Sequence, residues 1–268
     1  SEVPSGGARA LMRWSARYEN PGKSKVIGVL TYLRRPLMDT LELLGLDIGK
    51  STFHLIGHDG KGHEVLRKKF NRNRLLEFAA KLKPCTIVME SCGGSHWLAR
   101  KLISFGHQVK LIAPQHVKPY VTGNKNDYID AAAICEAASR PRTRYVAIKT
   151  VEQQVLSTQH RLREALVGHR TQTINRIHGF LLEFGIALPV TKAAMNQIHQ
   201  ILDDPVAELP QQLKCDIEYL LEEIKRLTGE IKAIDRTIKE QVAADDAATR
   251  LMSIPGIGPI IASALLAD

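Results

Sequence analysis

A chain of 268 residues with 44% apolar content can bury at least one substantial core, which excludes a disordered tail. Its formal charge of +9 lies wholly in the first 190 residues, because residues 191–268 hold 8 Lys and Arg against 13 Asp and Glu; this is the usual electrostatic footprint of a polyanionic partner, nucleic acid first among them, and one that membrane-surface and plain soluble proteins share. Apolar runs such as VIGVL and IIASALLA fall far short of the ~20 residues that span a bilayer, and four cysteines without CxxC spacing argue against a zinc module and for a soluble, disulfide-free protein of a reducing cytoplasm.

Residues 1–37 carry seven basic residues, scattered Pro and Gly and no periodicity, so they read as a loosely ordered basic extension, either upstream sequence ahead of a natural start at Met38 or a basic arm. From Leu41 the pattern sharpens. LELLGLDI and STFHLIGH are short apolar runs, and the Asp-Gly of HDGKG signals a turn before HEVLRKKF, predicting a three-stranded meander. NRNRLLEFAAKL opens on a capping Asn71 and sets Leu75, Leu76, Phe78, Ala79 and Leu82 on one helical face. CTIVME is then a buried strand ending at Glu90, GGSHWLARKLISFG a helix closed by Gly106, HQVKLIAP a fifth strand and NDYIDAAAICEAAS a further helix. The order βββαβαβα requires an α/β domain with a partly parallel sheet between helices. Beyond Val151 the chain is helical. In residues 213–238, Leu213, Ile217, Leu220, Ile224, Leu227, Ile231, Ile234 and Ile238 alternate spacings of four and three, a coiled-coil seam. Two partners for it stay open: the same helix of another copy, or residues 151–185 folded back.

Functional groups of α/β sheets sit where strands end. Asp47 ends the first strand, Glu90 ends the fourth, and Asp127 and Asp130 share one helical face. Taken singly, these acids suit a turn, a helix N-terminal charge or an N-cap. Brought together they repel one another and cost several kcal/mol to desolvate unless cations neutralise them. A hard oxygen set without a His or Cys cluster favours Mg²⁺ or Mn²⁺, and two such ions about 4 Å apart clamp the attacking and leaving oxygens of a phosphodiester.

The segments GLDIGKSTFHL, VMESCGGSHWLARKL, APQHVKPYVTGNKNDYIDAAAIC and LMSIPGIGPIIASALLAD resemble insertion-sequence transposases with an N-terminal DEDD, RuvC-like domain, also described as bridge-RNA-guided recombinases, over about residues 41–268. The resemblance implies a ribonuclease-H-like mixed sheet over residues 38–145, a helical coiled-coil region over 146–245, and over 246–268 the start of a C-terminal helix-hairpin-helix transposase domain. It also implies catalytic, metal-binding roles for Asp47, Glu90, Asp127 and Asp130, two Mg²⁺ or Mn²⁺ ions, and Mg-dependent DNA strand cleavage and transfer. The implied partners are mobile-element and target DNA, a structured guide RNA and further copies joined through the helical region, in a bacterial, nucleoid-associated setting. Two departures stand out. The family's serine, thought to attack DNA, lies beyond the helix-hairpin-helix block, so no residue here takes that role and the sequence reads as a truncated copy or fragment. Asn126 stands where the family often has Thr.

PGIGP at 255–259 resembles the turn of a helix-hairpin-helix, where Gly256 and Gly258 let backbone N–H groups approach a phosphate. Arg67, Lys68, Lys69, Arg72 and Arg74 crowd one short stretch, and Lys125 precedes the aspartate pair; these are nucleic-acid contacts or a solvated face. Arg161, Arg163, His169, Arg170 and Arg176 read as surface solvation of a bundle. GKST at 49–52 is no Walker A motif, because Leu44 stands where the leading Gly belongs. His54, His58 and His63 have spacings that suit no common metal site and read as surface residues. Two rival functions remain: a sugar-kinase-like or actin-like ATPase, which would need a second phosphate loop, and a transposase remnant that binds DNA or RNA without cutting.

Overall fold

The computed structural model describes residues 40–122, 126–189 and 192–268, with the side chains of 192–196 left aside. The expectations for residues 1–37 and Lys125 lie outside the described residues. The chain forms two compact units, one up to Val146 and one from Ala147 to Asp268.

The first unit is a six-stranded mixed sheet in the order β3-β2-β1-β4-β5-β6. β1 (Leu41–Ile48) and β2 (Phe53–Asp59) form an antiparallel hairpin, closed where Gly49 N donates to Thr52 O at 3.0 Å. The GKST segment is thus a turn. Asp59 Oδ1 accepts from the backbone of Lys61 and His63 at 2.9 and 2.8 Å, which shapes the next turn into β3 (Glu64–Phe70). α1 (Arg72–Lys81) starts at Asn71, whose side chain accepts from Arg74 N. β4 (Thr86–Glu90) runs parallel to β1, and β5 (Gln108–Ile112), reached through α2 (Ser95–Ile103), runs parallel to β4. The short α3 (Pro114–Val117) leads on to α4 (Asp127–Ala138). A strand of two residues, β6 (Tyr145–Val146), then pairs antiparallel with β5; two residues carry no periodicity, and the sequence reading had no strand there.

The central strands are covered on both faces, which is why they read as unbroken apolar runs. Leu44, Leu46, Ile87, Val88, Met89, Leu111 and Ile112 are all essentially inaccessible, each worth roughly 1.5–3 kcal/mol of burial. β3 lies at the sheet edge and alternates instead: Leu66, Lys68 and Phe70 are covered to some degree, while Glu64, Arg67 and Lys69 are exposed.

The second unit is helical. α5 (Val151–Glu183) opens with a capping box of Thr150 and Gln153, and α7 (Gln211–Ala243) packs along it. The seam of α7 therefore has a partner within its own chain. One core joins Ile177 and Leu181 to Ile198 and Leu202 of α6 (Lys192–Asp203) and to Ile217, Leu221 and Ile224. A second gathers Ile238 and Val242 with α8 (Asp246–Met252) and α9 (Pro259–Ala267) through Ala248 and Ala262. Coverage from more than one direction widens the seam. Leu221 and Val242 are buried in it, while Leu213, Leu220 and Ile234 are only partly so. Midway, Arg163 Nε donates to Asp235 Oδ1 at 2.5 Å, so one of the expected surface cations is a cross-link between α5 and α7.

Candidate metal centre at one end of the sheet

Parallel pairing of β1 with β4 sets Leu46 opposite Met89, so the next residues along, Asp47 and Glu90, leave the same end of the sheet on the same face. What brings α4 to them is Gly45, two residues before Asp47 and on that face. A Cβ at Gly45 would lie 2.5 Å from both Ala131 O and Cys135 Sγ. Only glycine lets the helix lie this close to the strand. Cys135 Sγ donates to Ile56 O at 3.4 Å, and burial pushes its thiol up to about 12, so it acts as a packing group.

Asn126 is the N-cap of α4: its side chain accepts from Tyr128 N at 3.0 Å. That excludes the capping reading for Asp127, which instead occupies the first helical position with Asp130 one turn on. Helix N-termini favour negative charge by about 0.3–1 kcal/mol, which eases the crowding of these two acids without cancelling it. The Asp47 carboxyl is pushed up to about 6, first by burial and then by the charges of Asp130, Asp127 and Glu90. Burial and Asp130 raise Glu90 as well. The thiol of Cys92, half-buried nearby, is raised by burial and by Glu90 and Asp47. The charges of Asp127, Asp130 and Glu90 thus all reach Asp47, but only Asp47 and Asp127 of the four fall in a group of candidate ligand atoms close to one another.

The structure corrects the reading of His54. Rather than sitting on the surface, it is 4% exposed. The β1–β2 register places it directly opposite Asp47, its Nδ1 lies 3.5 Å from Asp127 Oδ2, and Tyr128 meets its ring edge-on at 4.8 Å. Candidate ligand atoms of Asp47, His54 and Asp127 lie within 4.8 Å of one another. Spacing along the chain does not reveal this cluster, whereas the hairpin register does, because pairing Ile48 with Phe53 across the GKST turn pairs 47 with 54. His58 is half-buried and His63 exposed, the latter bound to Asp59 at 3.2 Å.

The basic stretch divides between the faces of β3. Lys69 is opposite His54, which completes a row Asp47–His54–Lys69 across three strands, and Arg67 reaches the Tyr128 ring at 5.3 Å while pairing with Glu64 at 2.7 Å. Lys68 points to the other face, 4.8 Å over the Phe78 ring. Arg72 stands 5.3 Å over Trp97 and 5.6 Å over Phe53, and Arg74 is exposed on α1. In the helical unit Gly256 has φ +90° in the turn between α8 and α9, and Gly258 is the N-cap of α9.

The donor set is oxygen-rich and partly buried, a chemistry that suits a divalent cation. The described residues contain no helix long and apolar enough to cross a membrane. The family model for DEDD transposases of the IS110 group, described as "Transposase", matches residues 44–186. The chain is 44% identical over 228 residues to the transposase for insertion sequence element IS1328 of Yersinia enterocolitica, across 85% of this chain and 68% of that protein. It is 43% identical over 230 residues to a probable family 20 transposase of Pseudomonas aeruginosa, across 85% and 68%, and 37% identical over 236 residues to the transposase for IS1111A of Coxiella burnetii, across 88% and 65%. With a mixed sheet, an acidic sheet end and this likeness together, the chain belongs to the IS110 family of DEDD transposases.

Proposed function

We propose that the chain carries the cation-binding, DNA strand-cleaving module of an insertion-sequence transposase, with Asp47, Glu90, Asp127 and Asp130 holding Mg²⁺ or Mn²⁺. The observation that carries this is geometric: β1 and β4 bring Asp47 and Glu90 to one sheet end, where α4 sets candidate ligand atoms of Asp127 within 4.8 Å of those of Asp47 and His54. A divalent ion pair bound there would neutralise the charge of these acids and stabilise the oxygens of a phosphodiester under displacement. Asp47 and Glu90, fixed by paired strands, are the rigid part of the site, and Asp127, 60% exposed on the helix end, is the part open to a nucleic-acid strand. Arg67 and Lys69, on the site's face of β3, would meet flanking phosphates; Lys68, Arg72, Arg74 and Lys125 are further phosphate contacts in this reading. The turn at Gly256 and Gly258 presents backbone N–H groups to a second stretch of backbone, as the opening of the family's C-terminal domain. A guide RNA and assembly into oligomers are the parts of the proposal that rest on the family likeness alone.

The test is nicking of supercoiled DNA bearing the element's ends, with and without Mg²⁺, by the chain and by its Asp47→Asn and Asp127→Asn variants. Each variant is expected to lose at least ~100-fold in rate, about 2.7 kcal/mol of transition-state stabilisation. Equal rates in all three proteins would remove these acids from the reaction.

A further inference from the structure

We infer that His54 is a nitrogen ligand of the cation site, which makes the centre a mixed oxygen and nitrogen one with a preference for Mn²⁺ over Mg²⁺; this rests on the function proposed above. Three observations carry it. The ring is 4% exposed, held by the β1–β2 register and by Tyr128 edge-on at 4.8 Å, so its direction is fixed before any ligand arrives. It points at the acids, across the sheet from Asp47 and 3.5 Å from Asp127 Oδ2. That separation is long for a hydrogen bond, where N···O runs about 2.7–3.2 Å, yet suits two donors that share one ion at about 2.2 Å each. Mg²⁺ demands oxygen and gives up water reluctantly, whereas imidazole suits transition metals, so a nitrogen in this position biases selection toward Mn²⁺.

Mn²⁺ alone is the probe. The metal-free chain is titrated with Mn²⁺, bound ion is counted by electron paramagnetic resonance, and electron spin-echo modulation is recorded at one bound ion per chain. The expected result is ¹⁴N modulation from a directly coordinated imidazole, lost in His54→Gln while Mn²⁺ still binds about 3- to 10-fold more weakly. The Mn²⁺ to Mg²⁺ affinity ratio should fall by a similar factor. If Mn²⁺ binds in an Asp47-dependent way and the unaltered chain shows no coordinated nitrogen, the inference is overturned and the metal-dependent function stands. Modulation that persists in His54→Gln also overturns it. Binding that is absent, or indifferent to Asp47→Asn, overturns both. The spectrum of the unaltered chain decides the matter even if His54→Gln folds poorly.

Discussion

Asp47 sets the electrostatic character of this protein at the scale of a single residue. Its ordinary carboxyl value is 3.8 and the folded chain raises it to about 6. Between those values the native state retains a proton that the unfolded chain has lost, so stability falls as pH rises from about 4 to 6 and the penalty is complete above 6. Without screening the penalty would be about 3 kcal/mol; the half-exposure of Asp47 reduces it to roughly 1–2 kcal/mol. Urea denaturation of EDTA-treated protein should show that Asp47→Asn flattens this pH dependence and stabilises the metal-free chain at pH 7. Added Mn²⁺ should stabilise the unaltered chain at pH 7 and leave the variant nearly unmoved. A variant with the same pH slope as its parent would mean that burial and the neighbouring acids do not raise the Asp47 carboxyl.

At the scale of elements, the decisive contact is α4 on β1. Gly45→Ala would drive a methyl group to 2.5 Å from the Ala131 carbonyl oxygen, a backbone atom that moves only if the helix moves. The expected cost is about 1–3 kcal/mol in denaturant midpoint, accompanied by a loss of Mn²⁺ affinity as Asp127 and Asp130 are carried away from Asp47. Loss of stability with unchanged affinity would show that α4 is positioned by something other than this close approach. Asn126 acts on the same element: removing its cap with Asn126→Ala should cost about 1 kcal/mol. In the helical unit, Leu181→Ala would open a cavity where α5, α6 and α7 meet and cost roughly 2–5 kcal/mol.

Over the whole molecule, charge is the property that bears on function. The net charge of +9 arises in the first 190 residues, and the remainder is acidic. Duplex binding should therefore weaken steeply with salt, with a log–log slope of several, and Lys69→Ala should reduce that slope by about 1 through loss of one phosphate contact. Filter binding across a range of salt concentrations measures both quantities. Affinity unchanged between about 50 and 200 mM salt would contradict a phosphate-dominated interface.

The sequence by itself determined the strands buried on both faces, the cap at Asn71 and the helical second half, and it singled out four acids as candidates, because apolar period, capping chemistry and residue type are local properties of the chain. GLDIGKSTFHL also contained Gly45 and His54, but nothing within it said that a helix more than seventy residues on would press against the first or that the second would face Asp127. Those facts depend on strand register and on the distance between a helix and a sheet, which are settled only when remote segments close on one another. The same holds for the basic stretch, which is continuous in sequence and divided by the pleat of β3, and for the seam of α7, whose heptads were equally suited to a second copy. Tertiary structure gave that seam to α5 and α6, since a neighbour tied to the same chain has a far higher effective concentration than one arriving from solution.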